Sequence, residues 1–126
     1  MRAHFILYVA DQAASARFYE KVLGQKPALD VPGMTEFHLN DGCVLGLMPA
    51  AGIKRLLPKL PDPAGRVPRA ELYLLVEDPA SFHKRALENG AKELSPLAKR
   101  DWGHEAAYSL DPNGHVLAFA RKTKSS

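Results

Sequence analysis

The residues that decide the fold are His4-Phe5-Ile6-Leu7-Tyr8-Val9-Ala10-Asp11, because the same plan returns at Glu71-Leu72-Tyr73-Leu74-Leu75-Val76-Glu77-Asp78. Each is read as a strand, the first because it is a short run rich in β-branched and aromatic residues, and each is followed by an aspartate that suits a helix N-cap. From Gln12 to Leu23 the chain can be helical. Ala14, Phe18 and Val22 recur every four residues as an apolar stripe, and Gly24 stands where a C-terminal cap is wanted. After Asp78, Pro79 suits a first helical turn, Phe82 and Ala86 share a face, and Asn89-Gly90 ends the helix.

Working outward, each helix precedes three further strands. In the first half they are expected near Pro27 to Asp30, Thr35 to Leu39 and Cys43 to Met48, with Asn40-Asp41-Gly42 as a tight turn between the last two. In the second half they are expected near Lys92 to Leu94, Glu105 to Leu110 and His115 to Ala120, with Pro112-Asn113-Gly114 as the matching turn. Val9 and Asp11 stand 67 residues before Val76 and Asp78, while Gly42, Leu45 and Leu47 stand 72 residues before Gly114, Leu117 and Phe119. The difference falls between helix and third strand, where loops vary. The reading is one α+β domain over residues 1–126, made of two βαβββ modules at about 1–48 and about 70–121.

Residues 49–69 join the modules. They hold five of the ten prolines, the basic residues Lys54, Arg55, Lys59, Arg66 and Arg69, and one acid, Asp62. Ile53, Leu56 and Leu57 fit one helical turn docked on the body. A connection of this length is either a solvated linker or a lid, and as a lid it would be mobile near a pocket mouth.

With 46% hydrophobic and 25% charged residues among 126, composition is that of a globular domain. The net charge of +3 suits a neutral or anionic small ligand, and no block of like charge suggests a nucleic-acid arm. Cys43 is the single cysteine, which excludes an internal disulfide and points to a reducing, cytoplasmic setting. No apolar run reaches the ~18 residues of a membrane span, and the N-terminus lacks signal-peptide features.

Three stretches carry a resemblance. His4-x-x-x-x-Val9-x-Asp11 with Arg17-Phe18-Tyr19-x-x-Val22-Leu23-Gly24, the loop Asp101-Trp102-Gly103-His104, and the closing Asp111-Pro112-Asn113-Gly114-His115 are similar to the glyoxalase I, bleomycin-resistance and extradiol-dioxygenase (vicinal oxygen chelate) superfamily. The resemblance implies curled mixed sheets around a pocket, a homodimer, and, in metal-dependent members, one divalent ion such as Zn²⁺, Ni²⁺ or Fe²⁺ held from four strand positions. Carried over, these are His4, Gly46, Glu71 and Ala118. Two can donate an electron pair and two cannot, so a weak metal site or none is expected, and small residues at 46 and 118 are expected to leave space there.

Strand alternation puts Ile6 and Tyr8 with His4, Tyr73 and Leu75 with Glu71, Val44 and Met48 with Gly46, and Val116 and Ala120 with Ala118. His4 and Glu71 are the candidate catalytic and metal-binding pair, or else a structural pair. Tyr8, Met48, Tyr73, Arg100, Trp102 and His104 are candidate ligand contacts: Trp102 either stacks on a ligand or covers the core edge, Arg100 suits an anion, and His104 is a candidate extra metal ligand. His38, His83 and His115 read as exposed. Two functions follow: a protein that binds a small molecule between the modules without a complete metal site, or a metal-dependent enzyme resembling lactoylglutathione lyase or a dioxygenase. A vestigial pocket in an interaction protein is a third reading.

Overall fold

A computed structural model describes residues 1–63, 65, 68 and 70–124. Residues 66 and 69, two of the basic positions between the modules, lie outside the described residues. β1 (Ala3–Val9) runs into α1 (Gln12–Leu23), whose N-cap Asp11 accepts the Ala14 N–H at 3.0 Å. The helix stops at Gly24, whose φ of 70° is a left-handed cap that glycine takes without steric cost. β2 (Leu29–Val31), β3 (Met34–Asn40) and β4 (Cys43–Pro49) follow, and then α2 (Ala50–Leu56).

The second half repeats the order. β5 (Glu71–Leu75) leads to α3 (Pro79–Glu88), then β6 (Lys92–Lys99), β7 (His104–Leu110) and β8 (Val116–Lys122). Asp78 caps α3, and the Ser81 hydroxyl at 2.6 Å, with the Ser81 N–H, holds its carboxyl below the usual range.

The sheets show the duplication directly. One has the order β1-β4-β3-β2 and the other β5-β8-β7-β6, each with its first and last strands parallel and the rest antiparallel. Ile6 lies beside Gly46 in the first and Tyr73 beside Ala118 in the second. These pairs are related by the 67- and 72-residue offsets. The chain forms two compact units, Met1–Arg66 and Val67–Ser126.

Several expectations need correction. The buried stripe of α1 is Ser15, Phe18, Tyr19 and Val22, one residue round from Ala14, which is exposed. β2 begins at Leu29, past Pro27. β6 continues through Pro96 to Lys99, because it is an edge strand with register shifts on either side of Ser95, where a missing N–H costs no ladder bond. His83 is buried at 7% exposure, with Nε2 2.9 Å from Glu93 Oε2. The helical turn expected in the connection does form, as α2, which packs on β4 and β1 through buried Ile53, and Lys54 Nζ donates to the Pro58 and Leu60 carbonyls. Leu56 and Leu57 are exposed.

Candidate functional site

Side chains paired across neighbouring strands share a face. Thr35 bonds Gln12 of α1 through its hydroxyl, so Thr35, its partner Leu47, and Leu45 and Phe37 face α1. Gly46 and Glu36, paired with each other, therefore lie on the opposite face, with His4, Ile6, Tyr8 and Met48. In the second unit Phe119 meets Phe82 of α3 at 5.4 Å between ring centroids. Glu71, Tyr73, Ala118, Ala120, Ala106 and Tyr108 then face away from α3.

On the face opposite α1, His4 Nδ1 lies 3.5 Å from Glu36 Oε2. The carboxylate next to His4 in its own unit is thus Glu36, a residue the sequence reading passed over. The hairpin at Asn40-Asp41-Gly42 carried the signal, since that turn sets Glu36 opposite Gly46. Tyr8 and Met48 are half-buried side by side.

Gly46 leaves little space. A Cβ there would stand 3.1 Å from Ile6 Cγ1 and 3.2 Å from Met34 Sδ, so apolar side chains occupy the place expected to be open. A longer ligating side chain would have to displace them. Of the four strand positions, 46 and 118 offer no donor. Among the described residues no group of three or more His, Cys, Asp or Glu is placed to hold a metal ion. This donor set does not fit an ion held from those four positions.

The face opposite α3 gathers more polar chemistry. Tyr73 Oη is 2.7 Å from His104 Nδ1, and Trp102 Nε1 donates to the same phenol oxygen at 3.0 Å. The Tyr73 and His104 rings stack at 5.8 Å and 26°. β5 supplies Tyr73 and the start of β7 supplies His104, and a tight loop presents Trp102 between them. That loop is closed by the Arg100 N–H on the His104 carbonyl at 2.7 Å and turns at Gly103, whose φ is 83°. Arg100, expected to bind an anion, donates to Ser95 Oγ and to the Pro96 and Ala106 carbonyls, with its guanidinium over the Tyr108 ring. Its donors fasten β6 to β7. Tyr108 was not foreseen; burial first, then the charges of Glu71 and Tyr73, push its phenol above the ordinary range. Ala106, Ala118 and Ala120 on this face are fully buried, and Glu71 is exposed at the start of β5.

A separate groove of about 680 Å³ lies between α1 and the β2 strand, with Asp11, Arg17, Glu20 and Asp30 among its lining residues. None of the sequence-derived candidates lines it.

The model of the Glyoxalase/Bleomycin resistance protein/Dioxygenase superfamily matches residues 2–119. The chain belongs to that superfamily. Among solved structures, a glyoxalase-related enzyme from Fulvimarina pelagi is similar at 25% identity and a TM-score of 0.84, over 97% of this chain and 88% of that one. A glyoxalase/bleomycin resistance protein/dioxygenase from Nocardioides has 24% identity and a TM-score of 0.72, over 100% and 85%. A family enzyme from Burkholderia phytofirmans PsJN has 16% identity and a TM-score of 0.80, over 94% and 96%. The last two speak for the superfamily fold alone. No curated protein matches the chain.

Proposed function

We propose that this superfamily member binds a small neutral or anionic molecule on the sheet face turned away from α3, in a cytoplasmic setting, and does so without a complete metal site. The observation that carries the reading is the group Trp102, Tyr73 and His104: few polar groups converging beside an exposed aromatic ring are what a small-molecule site needs. The filled position at Gly46 supports independence from metal, and the net charge of +3 favours an anion over a cation. Cys43, the single cysteine, suits a reducing compartment.

A second reading, a metal-dependent enzyme resembling lactoylglutathione lyase or a dioxygenase, has one observation in its favour. His4 and Glu36 are two potential ligands 3.5 Å apart on one face of the first unit.

Trp102 is the only tryptophan, so its fluorescence reports on this site directly. Titration of a panel of aromatic acids should quench or shift it equally before and after chelation. Elemental analysis of dialysed protein should give less than about one tenth of a divalent ion per chain. Near-stoichiometric metal that disappears in His4→Ala would overturn the metal-free reading and restore the lyase.

A further inference from the structure

We infer that Trp102, Tyr73 and His104 form a hydrogen-bond chain of fixed direction. It holds His104 as an Nε2–H donor and, with the Trp102 ring, selects a planar aromatic ligand that carries a carboxylate or other acceptor oxygen. This rests on the small-molecule reading above and names its ligand class.

The direction follows from the donor inventory. The indole nitrogen can only donate, so the Tyr73 oxygen accepts at 3.0 Å. The phenol retains one proton of its own, and among the described residues its other neighbour is His104 Nδ1, at 2.7 Å. Donating that proton satisfies the phenol and makes Nδ1 the acceptor, so the neutral ring carries its proton on Nε2. Nε2 has no partner among the described residues. Nor is it fully buried, since His83 Nδ1 is the buried side-chain atom that lacks a partner among them. A donor without a protein partner is therefore presented on this face. Beside it Trp102, 55% exposed, is pinned by its N–H edge, which leaves ring surface free for stacking. A ligand matching both features is flat, aromatic and acceptor-bearing. A cation that can only donate meets an N–H and is rejected.

The probes are 1-naphthoate and 1-naphthylmethylammonium, followed by Trp102 fluorescence, together with long-range ¹⁵N–¹H correlation spectra of the ligand-free protein. We expect His104 to show a pyridine-like Nδ1 and a pyrrole-like Nε2, and 1-naphthoate to bind more tightly than the ammonium. His104→Ala should weaken 1-naphthoate about ten- to a hundredfold, the loss of a charge-assisted hydrogen bond. Tyr73→Phe should release the tautomer and weaken binding about two- to fivefold, as the competent form becomes partly populated. An Nδ1–H tautomer in the wild-type spectrum overturns the inference without recourse to any variant. Equal binding of the two probes, or unchanged 1-naphthoate affinity in His104→Ala, overturns it while leaving the small-molecule reading in place. No response to either probe up to about 1 mM removes both.

Discussion

A glycine in a strand tells the sequence reader that a side chain is missing and does not tell what stands in its place. Position 46 reads as an opening, yet Ile6 from β1 and Met34 from β3 close over it. Both lie far from Gly46 in sequence, and only the pairing of three strands brings them together. Glu36 and Tyr108 escaped notice for the same reason: each becomes part of a face through its neighbour in the ladder, Gly46 for one and Ala118 for the other. His4, Tyr73, Trp102 and His104 were legible because motif or alternation marked them individually. Tyr108 supports a prediction about pH. Burial favours its neutral form in the fold, so its contribution to stability is complete below the ordinary phenol range, near 10, and is lost as pH rises from there through the raised folded value. Wild-type protein should lose stability to urea through this alkaline window, and Tyr108→Phe should lose it less steeply. Parallel curves for the two would show that Tyr108 titrates as it does in the unfolded chain.

Among the elements, those whose ends carry their own chemistry were read well. Asp11, Gly24 and Asp78 fix helix ends through side-chain acceptance or backbone freedom, which are local properties of the chain. Lengths and faces decided by tertiary pairing were read less well. β6 outruns Pro96 because its outer edge needs no ladder bonds, and α1 turns Ser15 rather than Ala14 inward because β3 and β4 lie on that side. One well-connected helix residue was not singled out at all. Gln12 Nε2 donates to the Val31 carbonyl at 2.8 Å and to Thr35 Oγ1 at 2.9 Å, while its Oε1 accepts the Gly33 N–H at 2.9 Å. One side chain thereby ties the start of α1 to the β2–β3 turn and shapes one wall of the groove beside it. Gln12→Ala removes all three bonds and should destabilise the protein by about 1–3 kcal/mol, several partly exposed hydrogen bonds at the usual net worth. Urea denaturation of the two proteins measures this. A midpoint equal to wild type would mean that water replaces the amide without loss.

For the molecule as a whole, the βαβββ repeat was visible because duplication writes each cap and turn twice, and two agreeing registers leave few alternative topologies. Assembly is written less plainly, but the exposed apolar residues give it a direction. β1 and β5 are edge strands of their sheets, and Phe5 and Leu75 are each 62% exposed, with Ile6 at 42%. Edge strands with uncovered apolar side chains invite pairing, and natural proteins blunt them with charge, proline or a partner. Residues Phe5 to Val9 and Leu72 to Val76 contain neither charge nor proline. A partner is one further device, and for a chain of this size a twofold copy of itself is the commonest solution. We therefore predict a homodimer. Sedimentation equilibrium at micromolar concentration should give twice the 13.8 kDa of one chain. Phe5→Lys, which places a charge on the free edge of β1, should shift the distribution toward monomer while the circular dichroism of the fold is kept. A wild-type species of 13.8 kDa would mean that these edges stay solvated in the single chain, and a dimer indifferent to Phe5→Lys would move the interface away from β1.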